Sequence, residues 1–142
     1  MFDNLKDNKK NIFYPVTLEE IEKVEKELKI KFPISLKTFY LEVGYGFIHS
    51  EVGNINRIMH PLSVRDFRLR QNDFEYYPDI EIYDEFEGNK LIFFEGNEAS
   101  LLSVGFNSEE GKVFYYDEKL TDNFSDFIIK INEDDTFYYD AI

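Results

Sequence analysis

Residues 17–46 read TLEEIEKVEKELKIKFPISLKTFYLEVGYG, and the rest of the chain can be placed around this stretch. Thr17 with Glu20 three positions later forms a capping box, in which each side chain bonds the other residue's backbone N–H, so a helix is predicted to begin there. Val16 and Ile21 have the spacing of a hydrophobic staple across that start. Apolar residues then recur every three or four positions and predict a buried face made of Leu18, Ile21, Val24 and Leu28.

A second helix is predicted directly after Phe32-Pro33. The residue before a proline avoids the helical region, which ends the first helix, and proline fits a first helical turn because its missing N–H is not needed there. The apolar stripe of the second helix consists of Leu36, Phe39, Tyr40 and Val43. Gly44 is placed to close this helix in the left-handed conformation, which glycine adopts without a steric penalty.

The second half of the chain predicts three adjacent strands followed by a helix. The strand segments are residues 91–94, 101–106 and 112–117, with turn sequences at 95–98 and 107–111. Short connections between neighbouring strands favour an antiparallel meander. The helix is expected to be capped by Thr121 or Asp122 and to bury a stripe made of Phe124, Phe127, Ile128 and Ile131. Residues 134–142 are expected to add an edge strand or to dock on the core.

These two blocks resemble the SMI1/KNR4 (SUKH) superfamily. Its pattern in the first block runs roughly L-P-x-x-Y-x-x-F-L-x-x-N-G-G, and the residues in that register here are Phe32-Pro33, Leu36, Phe39-Tyr40 and Val43-Gly44-Tyr45-Gly46. Phe32 replaces the Leu, Leu36 replaces the Tyr, and residues 43–45 replace the Asn-Gly-Gly. In the second block the family has a Val-Tyr-Tyr strand and a helix with two Phe three residues apart, matched by Val113, Tyr115, Tyr116, Phe124 and Phe127. Residues from about 48 to 90 have no counterpart in either block.

Composition limits the classes of protein to which this chain can belong. A chain of 142 residues, 43% of them hydrophobic, is long enough for one globular domain, and we assign residues 1–142 to it. Its 15 Phe and 10 Tyr predict an aromatic core, and the lack of Cys excludes disulfide, thiolate-metal and cysteine-nucleophile chemistry. The sequence shows no secretory signal or membrane-spanning run, so a soluble cytoplasmic protein is expected. The predicted fold class is α+β, with a mainly antiparallel sheet on which N-terminal helices and a C-terminal helix pack.

Charge is distributed unevenly along the chain. Residues 1–72 carry 12 Lys or Arg and 10 Asp or Glu, whereas residues 73–142 carry 4 and 19, which places −15 in the second half of a chain of net charge −13. Such a field repels nucleic-acid phosphates and attracts a basic partner. A solubility surface explains the same charge equally well, and the sequence leaves both interpretations open.

The middle of the chain predicts small elements and a cluster of arginines. Residues 47–49 favour a short strand and residues 51–54 a turn. Residues 60–63 favour the entry to a helix capped by Ser63, with three inward-facing residues, namely Val64, Phe67 and Leu69. The four arginines of the chain all lie here: Arg57, Arg65, Arg68 and Arg70. They would suit a phosphate or carboxylate clamp, but without a glycine-rich backbone we prefer a solvated helix face that neutralises the acidic half.

Residues 73–89 mix carboxylates with aromatic rings. The spacing of Ile80 and Ile82 suits a strand, whereas the spacing of Ile80, Tyr83 and Phe86 suits a helix, so the secondary structure of this segment is left open. Tyrosines among carboxylates favour a protein-binding surface, although an amphipathic element with its aromatics in the core fits equally. The predicted partner-binding residues are Asp73, Glu75, Tyr76, Tyr77, Asp79, Glu81, Tyr83, Asp84, Glu85 and Glu87.

The sequence predicts no catalytic, cofactor-binding or metal-binding residues. The only two histidines, His49 and His60, lack the spacing of a zinc site, and no G-x-S-x-G elbow accompanies them. Carboxylate doublets such as residues 84–85 point in different directions on a regular element and are expected to be solvated charges. No phosphate-binding glycine loop or basic patch with interleaved aromatics occurs, so nucleic-acid binding is not expected. A carboxylate-dependent enzyme would require several Asp or Glu to converge in a pocket.

The resemblance implies a function. Bacterial members of the SUKH superfamily are similar to immunity proteins (antitoxins) paired with polymorphic toxins, many of them nucleases, and fungal relatives regulate cell-wall synthesis. The resemblance therefore implies a non-catalytic immunity protein that docks an acidic surface on the active face of a basic cognate toxin. A regulatory or scaffold module that binds a housekeeping protein is the alternative. Neither function involves a cofactor, a membrane or nucleic acid, and the oligomeric state is left open.

Overall fold

The computed structural model describes residues 2–50 and 55–141, so the turn predicted at residues 51–54 lies outside the described part of the chain. The described residues form five α-helices and seven β-strands. The helices are α1 (Asp3–Asp7), α2 (Leu18–Leu28), α3 (Ile34–Glu42), α4 (Pro61–Leu69) and α5 (Phe124–Glu133). The strands are β1 (Ile12–Tyr14), β2 (Tyr45–Phe47), β3 (Arg57–Ile58), β4 (Lys90–Glu95), β5 (Leu101–Gly105), β6 (Val113–Tyr115) and β7 (Glu118–Thr121). The predicted α+β class is confirmed.

The strands form one antiparallel sheet in which each strand pairs with the next along the chain, which leaves β1 and β7 at the edges. The predicted meander of β4, β5 and β6 is confirmed, and residues 91–94 are buried throughout, as expected for a strand covered on both faces. The strand predicted at residues 47–49 is found two residues earlier, as β2. Strands β1, β3 and β7 were not predicted because each is only two to four residues long, too short for an alternating pattern.

Helices α2 and α3 follow the prediction closely. The Thr17 hydroxyl accepts the Glu20 N–H at 3.1 Å, and Glu20 Oε1 accepts the Thr17 N–H at 2.9 Å. The predicted face is buried at Ile21 and Val24, but Leu18 in the first turn is exposed, so burial begins one turn later than expected. All four predicted stripe residues of α3 are buried. The helix ends at a right-handed Val43, and Gly44 follows with a φ of 113° in place of the expected left-handed helical value.

Two predicted helix caps are wrong. Helix α4 is capped by His60, whose Nδ1 accepts the Leu62 N–H at 3.0 Å, and Ser63 lies inside the helix. Helix α5 is capped by Asn123, whose side-chain oxygen accepts the Asp126 N–H at 2.8 Å, whereas Thr121 or Asp122 was predicted. The observed cap lies three residues before the predicted one in α4 and one or two residues after it in α5, and only the backbone geometry decides which residue caps. Leu69 is exposed, because α4 ends there.

The core is built from aromatic rings, as the composition predicts. Phe93 of β4 lies 5.6 Å from Phe124 and 5.5 Å from Phe127 of α5, measured between ring centroids. The predicted α5 stripe is buried at all four positions. The C-terminal residues dock on this core through a 3₁₀ turn, Phe137–Ala141, in which the buried Tyr138 hydroxyl donates to Asn56 Oδ1 at 2.7 Å. Burial raises the pKa of Tyr138 to about 12.

Replacing Glu20 with glutamine should destabilise the protein at neutral pH but not in acid. Bonds from the Thr17 N–H and from His60 lower the pKa of Glu20, although burial acts in the opposite direction. A lowered pKa stabilises the folded state above the unfolded-state pKa, and this stabilisation is lost as pH falls through the folded-state pKa. Urea midpoints of wild type and Glu20→Gln should therefore converge as pH is lowered from 7 to 3. Glu19→Gln, in the same helical turn, is the matched control; an equal pH-dependent loss there would contradict this account.

Candidate partner-binding surface

The acidic loop, residues 73–89, lies between α4 and β4 and is neither strand nor α-helix. It contains the 3₁₀ turns Asn72–Phe74 and Ile80–Tyr83. Its inward-facing residues recur at every third position: Phe74, Tyr77, Ile80, Tyr83 and Phe86. This is the repeat of a 3₁₀ helix, in which residues i and i+3 lie above one another. The N–H groups of Tyr77, Ile80 and Phe86 accordingly donate to the carbonyl three residues earlier, at 3.4, 3.3 and 3.0 Å.

The inner side of the acidic loop packs on α4 and the core through aromatic contacts. Phe74, Tyr77 and Tyr83 surround Phe67 of α4, with ring centroids 5.1, 6.3 and 5.7 Å away. Tyr83 also stacks on Tyr116, which follows β6, at 5.3 Å. Burial raises the pKa of Tyr83, and the neighbouring Tyr116 adds to the shift. The segment is therefore anchored like a core element although its backbone is irregular.

Two arginines at the end of α4 hold the loop from the other side. Arg70 Nη2 donates to Asp84 Oδ1 at 2.8 Å and to Glu87 Oε2 at 2.5 Å. Arg68 Nη1 donates to the carbonyls of Glu87 and Lys90, each at 2.9 Å. Such charge-assisted bonds are stronger than neutral ones, and guanidinium groups reach several acceptors at once. Arg68 and Arg70 thus tie the end of the acidic loop to α4.

The interpretation of the arginines as a solvated helix face is corrected by these contacts. All four are partly buried. Arg57 pairs with Glu95 at 3.1 Å, and Arg65 pairs with Glu27 of α2 at 3.3 Å and with Asp66. Arg57 and Arg70 pair with carboxylates of the acidic half, as predicted, but as bridges between elements. The carboxylates that pair with Arg65 lie in the first half of the chain, and Arg68 bonds backbone carbonyls.

Glu87 is the buried member of this network. Its side chain is 11% exposed, and burial raises its pKa while Arg70 and Arg68 act to lower it. One carboxylate oxygen bonds Arg70, and the other has no hydrogen-bond partner among the described residues. A buried carboxylate is stable only with its counter-ion, so Glu87 depends on Arg70.

The predicted partner-binding residues separate into an outer and an inner group. The outer, exposed group is Asp73, Glu75, Tyr76, Asp79, Glu81, Asp84 and Glu85. Tyr76 is 88% exposed, which is unusual for a ring of that size. The inner group is Tyr77, which is half-buried, together with the buried Tyr83 and Glu87. The structure thus leaves seven of the ten predicted residues exposed on the acidic loop, and packs the other three against the elements that anchor it.

Both histidines form structural hydrogen bonds. His60 Nε2 donates to Glu20 Oε2 at 2.8 Å, and His49 Nε2 donates to the carbonyls of Ile131 and Asn132 at the end of α5.

A surface groove of about 980 Å³ beside α2 is lined by lysines and by glutamates such as Glu25. Within residues 2–50 and 55–141, no three His, Asp or Glu come together as a metal site. Nor does any helix of this part have the length and apolarity needed to cross a membrane.

Comparison with known proteins identifies the family. The model of the SMI1 / KNR4 family (SUKH-1) matches residues 15–130. The chain belongs to this family. The matched span of this SUKH-1 chain includes residues 48–90, for which the sequence motifs offered no counterpart. Among curated proteins, the chain is 54% identical to "Immunity protein YxxD" of Bacillus subtilis (strain 168) over 142 residues, which cover 99% of this chain and 97% of that protein.

Sequence reasoning missed the residues that anchor the acidic loop of this SUKH-1 chain. Arg68 and Arg70 were assigned to solvent, although they stand within five residues of the first carboxylate of the loop. This closeness in sequence could have indicated the contact, because the long side chain of an arginine at a helix end can reach polar groups of the chain that follows the helix. The three-residue repeat of the inner aromatics was a second signal.

Proposed function

We propose that this chain is an immunity protein, which binds a cognate polymorphic toxin and neutralises it without catalysing a reaction. The observation that carries the proposal is the 54% identity, over nearly the whole of both chains, to a protein named as an immunity protein. Identity at this level across full lengths supports a shared mode of action. It leaves the partner to be found, since immunity proteins of one fold can serve different toxins.

The surface we infer for the toxin is the outer group of the acidic loop. A partner that binds there meets six carboxylates around the exposed Tyr76, a combination that attracts a basic protein and offers it a rigid ring for contact. Because aromatic anchors and arginines already hold the loop, little conformational entropy is lost on binding. Fast, electrostatically steered association suits a protein that must reach its toxin before the toxin acts.

The mechanism we infer is occlusion. Toxins that act on nucleic acid need a basic face to hold phosphates, and an acidic surface competes directly for that face. A nuclease that acts in the cytoplasm of the producing cell is therefore the toxin class that this charge distribution fits. The chain itself supplies no reacting group in this mechanism, only a surface that excludes the substrate.

Reversing three charges of the outer group should weaken toxin binding and flatten its salt dependence. The variant is Glu75→Lys, Glu81→Lys and Glu85→Lys; Asp84 is kept because it bonds Arg70. The toxin is identified by pull-down and mass spectrometry from the native cell and then produced with this chain in a host, where wild type should restore growth. The affinity of the triple variant should fall by roughly ten- to a hundredfold at low salt, because close interfacial charge pairs have coupling energies of this order.

The matched control reverses three exposed carboxylates outside the loop: Glu22→Lys, Glu133→Lys and Asp140→Lys. It changes the net charge by the same amount, so it separates the local surface from the overall field. Equal loss of toxin affinity in both triple variants would show that binding depends only on the net charge of the chain. Wild-type affinity of the loop variant at all salt concentrations would remove the acidic loop from the interface, and failure of wild type to restore growth would refute the proposed function itself.

A further inference from the structure

The outward face of the β1–β2 ribbon is apolar and exposed. Two cross-strand pairs form it, which we call the apolar ladder: Ile12 with Phe47, and Tyr14 with Tyr45. Directly paired residues of neighbouring strands point to the same side of a sheet. Ile12, Tyr14 and Phe47 are 45%, 46% and 36% exposed. Tyr45 is partly buried, because its ring packs against the core and lies 4.7 Å from the His60 ring, measured between centroids. Phe13, between Ile12 and Tyr14 in sequence, points to the opposite face of the sheet and also packs on the core.

The apolar ladder continues into the acidic loop. In the sheet register Phe47 is paired with Arg57, and Arg57 with Glu95, so this ion pair extends the same row of side chains. Tyr77 of the acidic loop lies within electrostatic range of both, since burial and Glu95 raise its pKa while Arg57 lowers it. The row therefore runs from the edge of the sheet across the Arg57–Glu95 ion pair toward Tyr77, an inner residue of the acidic loop whose sequence neighbours Glu75 and Tyr76 are exposed.

Charge and strand geometry argue for one kind of occupant. Residues 11–18 and 43–50 contain no Asp, Glu, Lys or Arg, in a chain of net charge −13. Two copies of so acidic a chain repel each other, whereas a basic protein is attracted to it. Strand addition at the edge is disfavoured, because β1 has only three residues and Pro15 follows directly. The exposed face of the ladder therefore suits a basic partner that also carries apolar side chains.

We propose that the apolar ladder is the hydrophobic half of the toxin interface and that it receives apolar side chains of the basic toxin that the acidic loop attracts. This inference rests on the proposed function and deepens it. Stable interfaces combine a charge-depleted apolar centre with a polar rim. The acidic loop by itself exposes few large apolar side chains, and the ladder supplies the missing centre.

The test measures affinity for the toxin that this chain neutralises in the growth experiment. The double variant Ile12→Thr with Phe47→Thr should bind at least about tenfold more weakly, through faster dissociation, with the salt dependence of affinity unchanged. Threonine is chosen because it keeps the preference for strand. Tyr14→Thr is a second, single variant of the same surface, and urea unfolding of each free variant confirms that it folds. Ile129→Thr, also at an exposed isoleucine but on α5, is the control and should bind like wild type.

The outcomes separate the two proposals. Unchanged affinity of both folded ladder variants, together with weak binding by the charge-reversed loop variant, would overturn the ladder and leave the proposed function intact. Failure of wild type to neutralise any toxin would end both. Light scattering tests whether the ladder binds a second copy of this chain. A wild-type dimer that becomes a monomer in the ladder variants would show such binding and would overturn the inference.

Discussion

Replacing Gly46 with alanine should destabilise the protein by about 2–4 kcal/mol. Gly46 has a φ of 148°, which side-chain-bearing residues rarely adopt. A Cβ at this position would overlap the Ile12 carbonyl oxygen and press on the Phe13 Cα, both of them backbone atoms of β1 that cannot move aside alone. The strain and the clash add, and together they take a large part of the 5–15 kcal/mol that usually stabilises a domain.

The measurement is the urea midpoint, with amide hydrogen exchange to locate the damage. Protection should be lost first in β1, since the new methyl group pushes that strand off the sheet. Gly88→Ala is the matched control, because a Cβ there has no heavy atom within 4 Å, and its effect should stay within about 0.5 kcal/mol. Equal midpoints for the two variants would show that β1 does not depend on the close approach at Gly46.

Replacing Arg70 with methionine should destabilise the protein by roughly 2–4 kcal/mol and release the acidic loop. Loss of the guanidinium leaves the buried Glu87 carboxylate without its counter-ion and frees Asp84 as well. The figure lies below that for a fully buried pair because the Arg70 side chain is 24% exposed. The deficit should shrink as pH falls, because a protonated Glu87 needs no counter-ion.

Two variants make this prediction specific. Glu87→Met in the Arg70→Met background should recover much of the lost stability, since a buried ion pair can be replaced by apolar side chains with little cost. Lys112→Met breaks an exposed ion pair, in which the Lys112 and Glu109 side chains are 37% and 39% exposed, and should cost about 1 kcal/mol or less. A deficit of Arg70→Met no larger than that of Lys112→Met, or one that a second change at Glu87 does not reduce, would refute the proposed dependence. Hydrogen exchange should locate the loss of protection in residues 80–86.

The sequence predicted the regular elements best where several local signals agree. The Thr17 and Glu20 capping box and the buried stripes of α3 and α5 are confirmed, although α5 is capped by Asn123 in place of Thr121 or Asp122. Strands β1, β3 and β7 are too short to show a period, so only pairing with their neighbours defines them. The caps at His60 and Asn123 were missed by one to three residues, because several residues near each helix start carry side chains able to cap it.

The acidic loop shows where sequence reasoning about the candidate site stops. The strand and helix templates each matched part of it, and neither was right, since its inner residues repeat every three positions. Composition correctly marked it as charged and rich in tyrosine. Composition did not reveal that Tyr83 and Glu87 are buried or that Arg68 and Arg70 hold the loop in place.

The sequence by itself determined the α+β class, the two N-terminal helices, the central meander, the aromatic core and the family. These follow from spacing and composition, which act over a few residues and are written directly in the chain. Only the tertiary structure decided which carboxylates face solvent, which arginines bridge elements and which apolar side chains of β1 and β2 remain exposed. Those outcomes depend on contacts between residues far apart in sequence, and no local pattern encodes how such residues are brought together.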